Sequence, residues 1–184
     1  MSEIRETLPI LPLSAGVVLP HMNVTIQLDS EEARAAVTAA NAGSRQVVLL
    51  PKVNGRYASV GTVAKLEESG NLPGGEEVVV VQGRYRALMG KVEADLTGAL
   101  MGEFTPVLDP IAPSDRSREL AREYRAVIEN ILELRDARPI AQMLRGIDNP
   151  GHLSDMAGYS PDLSVEQKVQ LLEELDVVAR LEKL

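Results

Sequence analysis

The segment from Leu72 to Met89 has the sequence LPGGEEVVVVQGRYRALM and carries the strongest structural signal in the chain. Its start combines Pro73 with two glycines, a composition that favours tight turns, and it predicts a hairpin loop over residues 67–77. Four consecutive valines then begin a strand. Alternation at period two places one set of its side chains on a single side, namely Val79, Val81, Tyr85, Ala87 and Met89. The segment therefore predicts a hairpin whose second arm is a long strand.

Further β-like runs lie on both sides of this hairpin. They span residues 8–13, 22–28, 47–50, 60–64 and 100–107. One helix interrupts them, because Asp29 or Ser30 can cap an Ala-rich segment that runs to Ala42 before Gly43. Many short strands with few helices predict a barrel or a sandwich.

The periodicity changes after Pro106, Pro110 and Pro113, so we divide the chain into a strand-rich subdomain, 1–112, and a helical subdomain, 113–184. Ser114 is a suitable N-cap. Apolar residues at three- and four-residue spacing follow it and predict one buried stripe, formed by Leu120, Tyr124, Val127, Ile131 and Leu134. Later helices are predicted to begin at 149–150 and at Ser164.

The last predicted helix begins at Asp176. Its apolar seam consists of Leu175, Val178, Leu181 and Leu184, and no Gly, Asn or Pro ends it. The sequence therefore predicts that Leu184 lies within the start of a longer helix.

Composition restricts the functions that the chain can have. Its 184 residues are 45% hydrophobic and 25% charged, as is usual for a globular protein. The net charge of −8 opposes binding to nucleic acid. The absence of Cys excludes thiolate metal sites, disulfides and a Cys nucleophile. No apolar stretch approaches the ~20 residues that span a membrane, and we expect a cytoplasmic protein.

The motifs that resemble catalytic or cofactor sites fail on detail. The segment 83–91 ends in Gly-Lys, but its glycine spacing is wrong for a phosphate loop, and Val92 stands where Ser or Thr would bind Mg²⁺. His21 and His152 are far apart in the sequence, in different predicted subdomains, and each is more often structural than catalytic at such positions. We expect no catalytic, cofactor-binding or metal-binding residues in this chain.

The best basic cluster comprises Arg84, Arg86 and Lys91. We interpret it as the solvated outer face of a half-buried strand, since the aromatic platforms typical of nucleic-acid sites are nearly absent. RNA binding is therefore disfavoured.

Several segments together resemble a known family. Residues 8–13 (LPILPL) followed by 19–22 (LPHM), the run 60–64 (VGTVA), and 72–75 (LPGG) followed by 83–87 (GRYRA) are similar to the N-terminal domain of bacterial Lon proteases. Residues 148–150 (DNP) and 167–173 (QKVQLLE) resemble its helical half. The similarity spans nearly the whole chain in the same order.

The resemblance implies an α+β fold, with a PUA-like β-barrel that contains one helix, followed by a helical bundle. It implies capture of unfolded or degron-bearing proteins and support for a homohexamer in the complete enzyme. ATP, Mg²⁺ and the Ser–Lys peptidase dyad would belong to AAA+ and protease domains that have no counterpart here. Alone, we expect the chain to be a monomer or weak dimer.

We expect substrate proteins to contact exposed apolar residues on two loops, Leu19, Pro20 and Met22 in the first and Leu72 and Pro73 in the hairpin. The alternative is that Met22 and Leu72 only close the ends of the barrel. For the whole chain, a stand-alone protein-binding module is the main alternative. An independent hydrolase would need a nucleophile and a base that the sequence does not offer.

Overall fold

The computed structural model describes residues 4–184 and combines a mainly antiparallel sheet with a helical second half. The first three residues of the predicted strand-rich subdomain lie outside the described part. The strands are β1 (Glu6–Leu13), β2 (Asn23–Gln27), β3 (Gln46–Val53), β4 (Arg56–Tyr57), β5 (Val60–Asn71), β6 (Glu77–Ala94) and β7 (Leu100–Val107). The helices are α1 (Glu31–Asn41), α2 (Asp115–Leu134), α3 (Arg138–Arg145), α4 (Pro150–Asp155), α5 (Val165–Glu173) and α6 (Val177–Glu182), with a 3-10 helix at Met156–Tyr159.

The strand order of the sheet is β1-β7-β6-β5-β3-β4, and β2 pairs with β6 beside this path. β1 also pairs with β3, in parallel, so five strands pair in a circuit that returns to its start. The predicted α+β composition, strand-rich first and helical afterwards, is confirmed.

Side chains alternate across these strands and build two separate cores. In β3, for example, Val47 and Leu49 face one core and Val48 and Leu50 face the other. The smaller core receives a side chain from every strand of the circuit: Ile10, Val48, Leu50, Val63, Ala87 and Phe104. The larger core lies on the other side of the sheet, beneath α1, the loop after β1, and α5.

A bulge in β6 changes which residues face each core. Ala64 pairs with Gly83 and Val63 pairs with Tyr85, so Arg84 is an extra residue in the ladder. Residues before the bulge, such as Val79 and Val81, pack in the larger core, whereas Tyr85, Ala87 and Met89 pack in the smaller one. The prediction that all five share one side is therefore wrong.

The predicted helix starts are confirmed by side-chain caps. The hydroxyl oxygens of Ser30 and Ser114 each accept a hydrogen bond from the backbone N–H three residues later, at 3.1 Å in both cases. Ser164 and Gln167 form the reciprocal capping box, and Asp176 caps α6. These helices begin where local chemistry satisfies their first free N–H groups.

The buried side of α2 differs from the predicted stripe. Val127 and Leu134 are exposed, and Ala121 is buried with Tyr124, Ile128 and Leu132 packed around the same cluster. Both sides of this helix carry apolar residues at helical spacing, so its periodicity alone does not choose between them. The choice is made by α3, α4 and α6, which contact α2 on the Ala121 side.

The second half of the chain is only partly a bundle. α2, α3, α4 and α6 share a core, and Arg125 of α2 donates to the backbone carbonyls of Leu144 and Ile147 at the end of α3. α5 instead packs on the sheet, where Leu171 and Leu172 join the larger core. The helical half is therefore attached to the sheet through α5.

Candidate functional site

The loop that follows β1 lies beneath the helical half. Leu19, Pro20 and Met22 are all buried, so the prediction that they are exposed for substrate contact is wrong. The 3-10 helix covers them, since a Cβ added at Gly158 would lie 2.4 Å from the Met22 sulfur. Of the two readings of Met22, the structure supports the one in which it closes the core.

His21, which leaves this loop with a left-handed φ of 71°, stacks on His152 of α4. The ring centroids are 4.1 Å apart and the rings are inclined by 29°. Partial burial, and then repulsion from His21, lower the pKa of His152, while Asp155 opposes the shift. Sequence analysis placed these histidines in separate subdomains and gave no signal that they meet.

Arg86 is buried, with 1% of its surface exposed, so the prediction that it lies on a solvated face is wrong. The extra residue Arg84 shifts the alternation of β6 and turns Arg86 toward the helices. Its guanidinium donates to both carboxylate oxygens of Asp155, at 2.8 and 3.1 Å, and to the carbonyls of Leu171 and Leu172. The Arg84 side chain is exposed and makes no hydrogen bond or ion pair with residues 4–184.

A second buried arginine, Arg180 of α6, extends this network. It donates to both carboxylate oxygens of Asp109, at 3.0 and 3.1 Å, and lies 3.6 Å from Asp155. Asp109 belongs to the segment between β7 and α2. Two bidentate ion pairs, the geometry in which arginine binds carboxylates best, therefore join β6 to α4 and this segment to α6. The contact between Arg180 and Asp155 links the two pairs.

A cleft of about 390 Å³ opens beside the histidine pair, between the sheet and the helices. Its lining includes His21, His152 and Arg84. Its lip is formed by the segment after β7, where 70% of Leu108 and 101% of Ile111 are exposed. The cleft thus combines polar side chains with two highly exposed aliphatic side chains.

The tip of the β5–β6 hairpin is the other exposed apolar feature that the sequence indicated. The turn is closed by a hydrogen bond from the Leu72 N–H to the Glu76 carbonyl, and Gly75 has a φ of 91° that favours glycine. Leu72 is 42% exposed, and Pro73 is exposed as well. The loop is shorter than predicted, because residues up to Asn71 continue β5. Contact of this tip with substrate stays a prediction.

The described part of the chain, residues 4–184, contains no group of three or more His, Asp or Glu side chains placed to hold a metal ion. Within the same residues, no helix has the length and apolar character needed to cross a membrane.

The chain is similar to known proteins along nearly its whole length. Residues 7–184 match the family model of the ATP-dependent protease La (LON) substrate-binding domain. The chain belongs to the Lon substrate-binding domain family. It is 41% identical over 179 residues to the Lon protease of Salinispora arenicola, and 40% identical over 177 residues to that of Mycolicibacterium smegmatis. These matches cover 97% and 96% of the chain but only 23% and 22% of the two proteases.

Solved structures agree with this assignment. The N-terminal domain of the Mycobacterium avium complex Lon protease superposes with a TM-score of 0.90 at 36% identity, covering 96% of this chain and 95% of that one. The Lon N-terminal domain protein of Xanthomonas campestris shares the fold, with a TM-score of 0.72 at 21% identity over 97% and 96% of the two chains. The chain therefore corresponds to the substrate-binding domain of Lon, which is not its catalytic part.

Proposed function

We propose that the chain captures unfolded or degron-bearing proteins for the AAA+ ATPase and Ser–Lys peptidase domains of a bacterial Lon enzyme, in cytoplasmic protein quality control. Family membership over residues 7–184 is the observation that carries this proposal. The circuit of paired strands supports the PUA-like barrel as its framework. ATP and Mg²⁺ would act in the AAA+ domain.

Two exposed apolar features suit such capture. They are the cleft lip, formed by Leu108 and Ile111, and the hairpin tip, formed by Leu72 and Pro73. Complete burial of one aliphatic side chain contributes at most ~1.5–3 kcal/mol, and association first costs an estimated ~4–15 kcal/mol in lost freedom of motion. Each feature alone therefore gives weak binding, which suits a domain that must release its substrate to an unfolding ring.

The buried ion pairs support this function by fixing the geometry. Asp109 directly follows Leu108 in the chain and is held by Arg180, so the lip has a defined position relative to α6. A rigid lip loses little conformational entropy when a substrate covers it.

The proposal is tested by measuring binding of reduced, carboxymethylated α-lactalbumin, an unfolded probe, by fluorescence anisotropy. We expect Leu108→Ser with Ile111→Ser to weaken binding about tenfold or more, given the transfer free energy of two aliphatic side chains. The paired change at the tip, Leu72→Ser with Pro73→Ser, should have a smaller effect because Leu72 is already half covered.

Leu96→Ser is the matched control, since Leu96 is 108% exposed in the β6–β7 turn, outside both features. It removes the same aliphatic group and should leave binding unchanged. If the wild-type chain does not bind the unfolded probe, the proposed function is wrong. If all three variants bind the probe as tightly as the wild-type chain does, neither the lip nor the tip is the binding site.

The chain alone should neither hydrolyse ATP nor cleave peptides, because no phosphate loop or Ser–Lys dyad is present in its sequence. We propose that hexamers of the complete enzyme form mainly through the ATPase ring. Net charge and the lack of aromatic platforms argue against a nucleic-acid partner for this domain.

A further inference from the structure

Strand β2 has one unpaired edge. Among residues 4–184 it pairs only with β6, in the register Asn23↔Gln82 to Gln27↔Val78. In the same register, the Leu28 N–H donates to the Glu77 carbonyl and the Gly83 N–H donates to the Met22 carbonyl. Hydrogen-bonded pairs alternate along an antiparallel ladder, so the main chain of even-numbered residues faces β6. The main chain of Asn23, Thr25 and Gln27 therefore faces outward.

The outward groups at the start of β2 are covered by a side chain. The Asn23 N–H donates to the Tyr159 hydroxyl at 2.7 Å, and this hydroxyl donates to the Asn23 carbonyl at 3.3 Å. A phenol thus takes the place that another strand would occupy. Thr25 and Gln27 have no such partner among residues 4–184, which leaves two N–H donors and two carbonyl acceptors free.

A groove of about 380 Å³ runs along this free edge. Leu13 at the end of β1, Val17 and Val18 of the following loop, and Val24 and Ile26 of β2 contribute to its lining. Asp29, at one end, is the only charged residue in its lining. The groove therefore offers main-chain hydrogen bonds, a mixed lining of aliphatic and small polar side chains, and a single negative charge.

We infer that the free edge of β2 binds an extended segment of substrate polypeptide as an added strand, an inference that rests on the proposed capture of unfolded proteins. Main-chain pairing recognises the backbone that all unfolded segments share, while side chains at alternate positions select for small apolar residues. Asp29 favours a segment with a basic residue at that end. A second copy of the chain fits less well, because each copy carries a net charge of −8.

The inference is tested by removing one outward donor without touching the β2–β6 ladder. Thr25→Pro does so, because proline is tolerated on an edge strand where its missing N–H would face solvent. We expect the affinity for carboxymethylated α-lactalbumin to fall at least about fivefold, the effect of a lost hydrogen bond of ~1 kcal/mol. Thr25→Ala, the matched control that keeps the N–H, should bind like the wild type.

A second measurement on the unmodified chain covers the case in which Thr25→Pro does not fold. Amide hydrogen exchange, followed by NMR, should be fast at Thr25 and Gln27 in the free chain and at least about tenfold slower at saturating probe. Val24 and Ile26 should be protected in both states. Binding with unchanged exchange at Thr25 and Gln27 would refute strand addition while leaving the proposed function intact. Slow exchange of these amides in the free chain, together with dimers in sedimentation, would also refute the inference. It would show that a second copy of the chain covers the edge of β2.

Discussion

Replacing Arg86 with Met should destabilise the chain by about 3–5 kcal/mol, the usual cost of leaving one partner of a buried ion pair without the other. Arg86 makes four hydrogen bonds, two to Asp155 and two to main-chain carbonyls. Without it, Asp155 retains only Arg180, at 3.6 Å, while its carboxylate stays fully buried. Such a loss is a large part of the ~5–15 kcal/mol that stabilises a typical domain.

Urea unfolding followed by circular dichroism measures this effect as a lower midpoint with an unchanged slope. Arg84→Met is the matched control, since it makes the same substitution two residues earlier in β6 at an exposed side chain without an ion pair. It should change the free energy of unfolding by less than ~0.5 kcal/mol. Equal effects of the two substitutions, or a loss below ~1 kcal/mol for Arg86→Met, would refute the structural role of the buried pair.

Two further variants separate charge from geometry. Arg86→Lys keeps the positive charge but lacks the planar fork, so it should restore only part of the lost stability. Arg86→Met combined with Asp155→Leu removes both charges and should be clearly more stable than Arg86→Met alone, because no uncompensated carboxylate remains. A double variant that is less stable than the single one would show that the network acts through contacts other than this pair.

Three other predictions concern packing, pH and assembly. Gly83→Ala should cost ~1–3 kcal/mol in the same assay, because its Cβ would lie 2.7 Å from the Leu19 carbonyl oxygen, whereas Gly70→Ala meets nothing within 4 Å and should be neutral. Since the folded-state pKa of His152 lies below its ordinary 6.5, the unfolded chain binds the proton first. Stability should therefore fall as the pH drops from 7 to ~5, and His152→Gln should flatten that fall; an unchanged slope would contradict it. Sedimentation at micromolar concentration should show a monomer or weak dimer, and a stable hexamer would place the assembly surface within this chain.

The features that sequence analysis predicted correctly are those encoded by neighbouring residues. Ser30, Ser114 and Ser164 each cap a helix through an N–H three residues away, so a short window contains the whole interaction. The hairpin and the change of periodicity near Pro113 are local signals of the same kind. The family was recognised because several such segments occur in a fixed order.

The features that were missed depend on contacts between distant segments. Nothing near Arg86 in the sequence indicates Asp155, and nothing near His21 indicates His152. The sequence did contain one local signal, Gly83 within the predicted strand. A glycine inside a strand often marks a bulge or the close approach of another backbone. Both occur at Gly83, which directly precedes the extra residue Arg84 and lies against the carbonyl of Leu19.

The surface composition indicates that the proposed capture should depend little on substrate sequence. Selective protein interfaces are usually anchored by Trp, Tyr or Arg in deep pockets. This chain has no Trp, its single Phe is buried as Phe104, and Arg86 and Arg180 are committed to internal ion pairs. At the two proposed capture features, the cleft lip and the hairpin tip, the exposed apolar side chains are aliphatic, and the partly exposed Tyr57 and Tyr159 lie outside both. The free edge of β2 offers main-chain groups. Aliphatic contact and backbone pairing recognise what unfolded chains have in common, whereas a folded protein has already buried both.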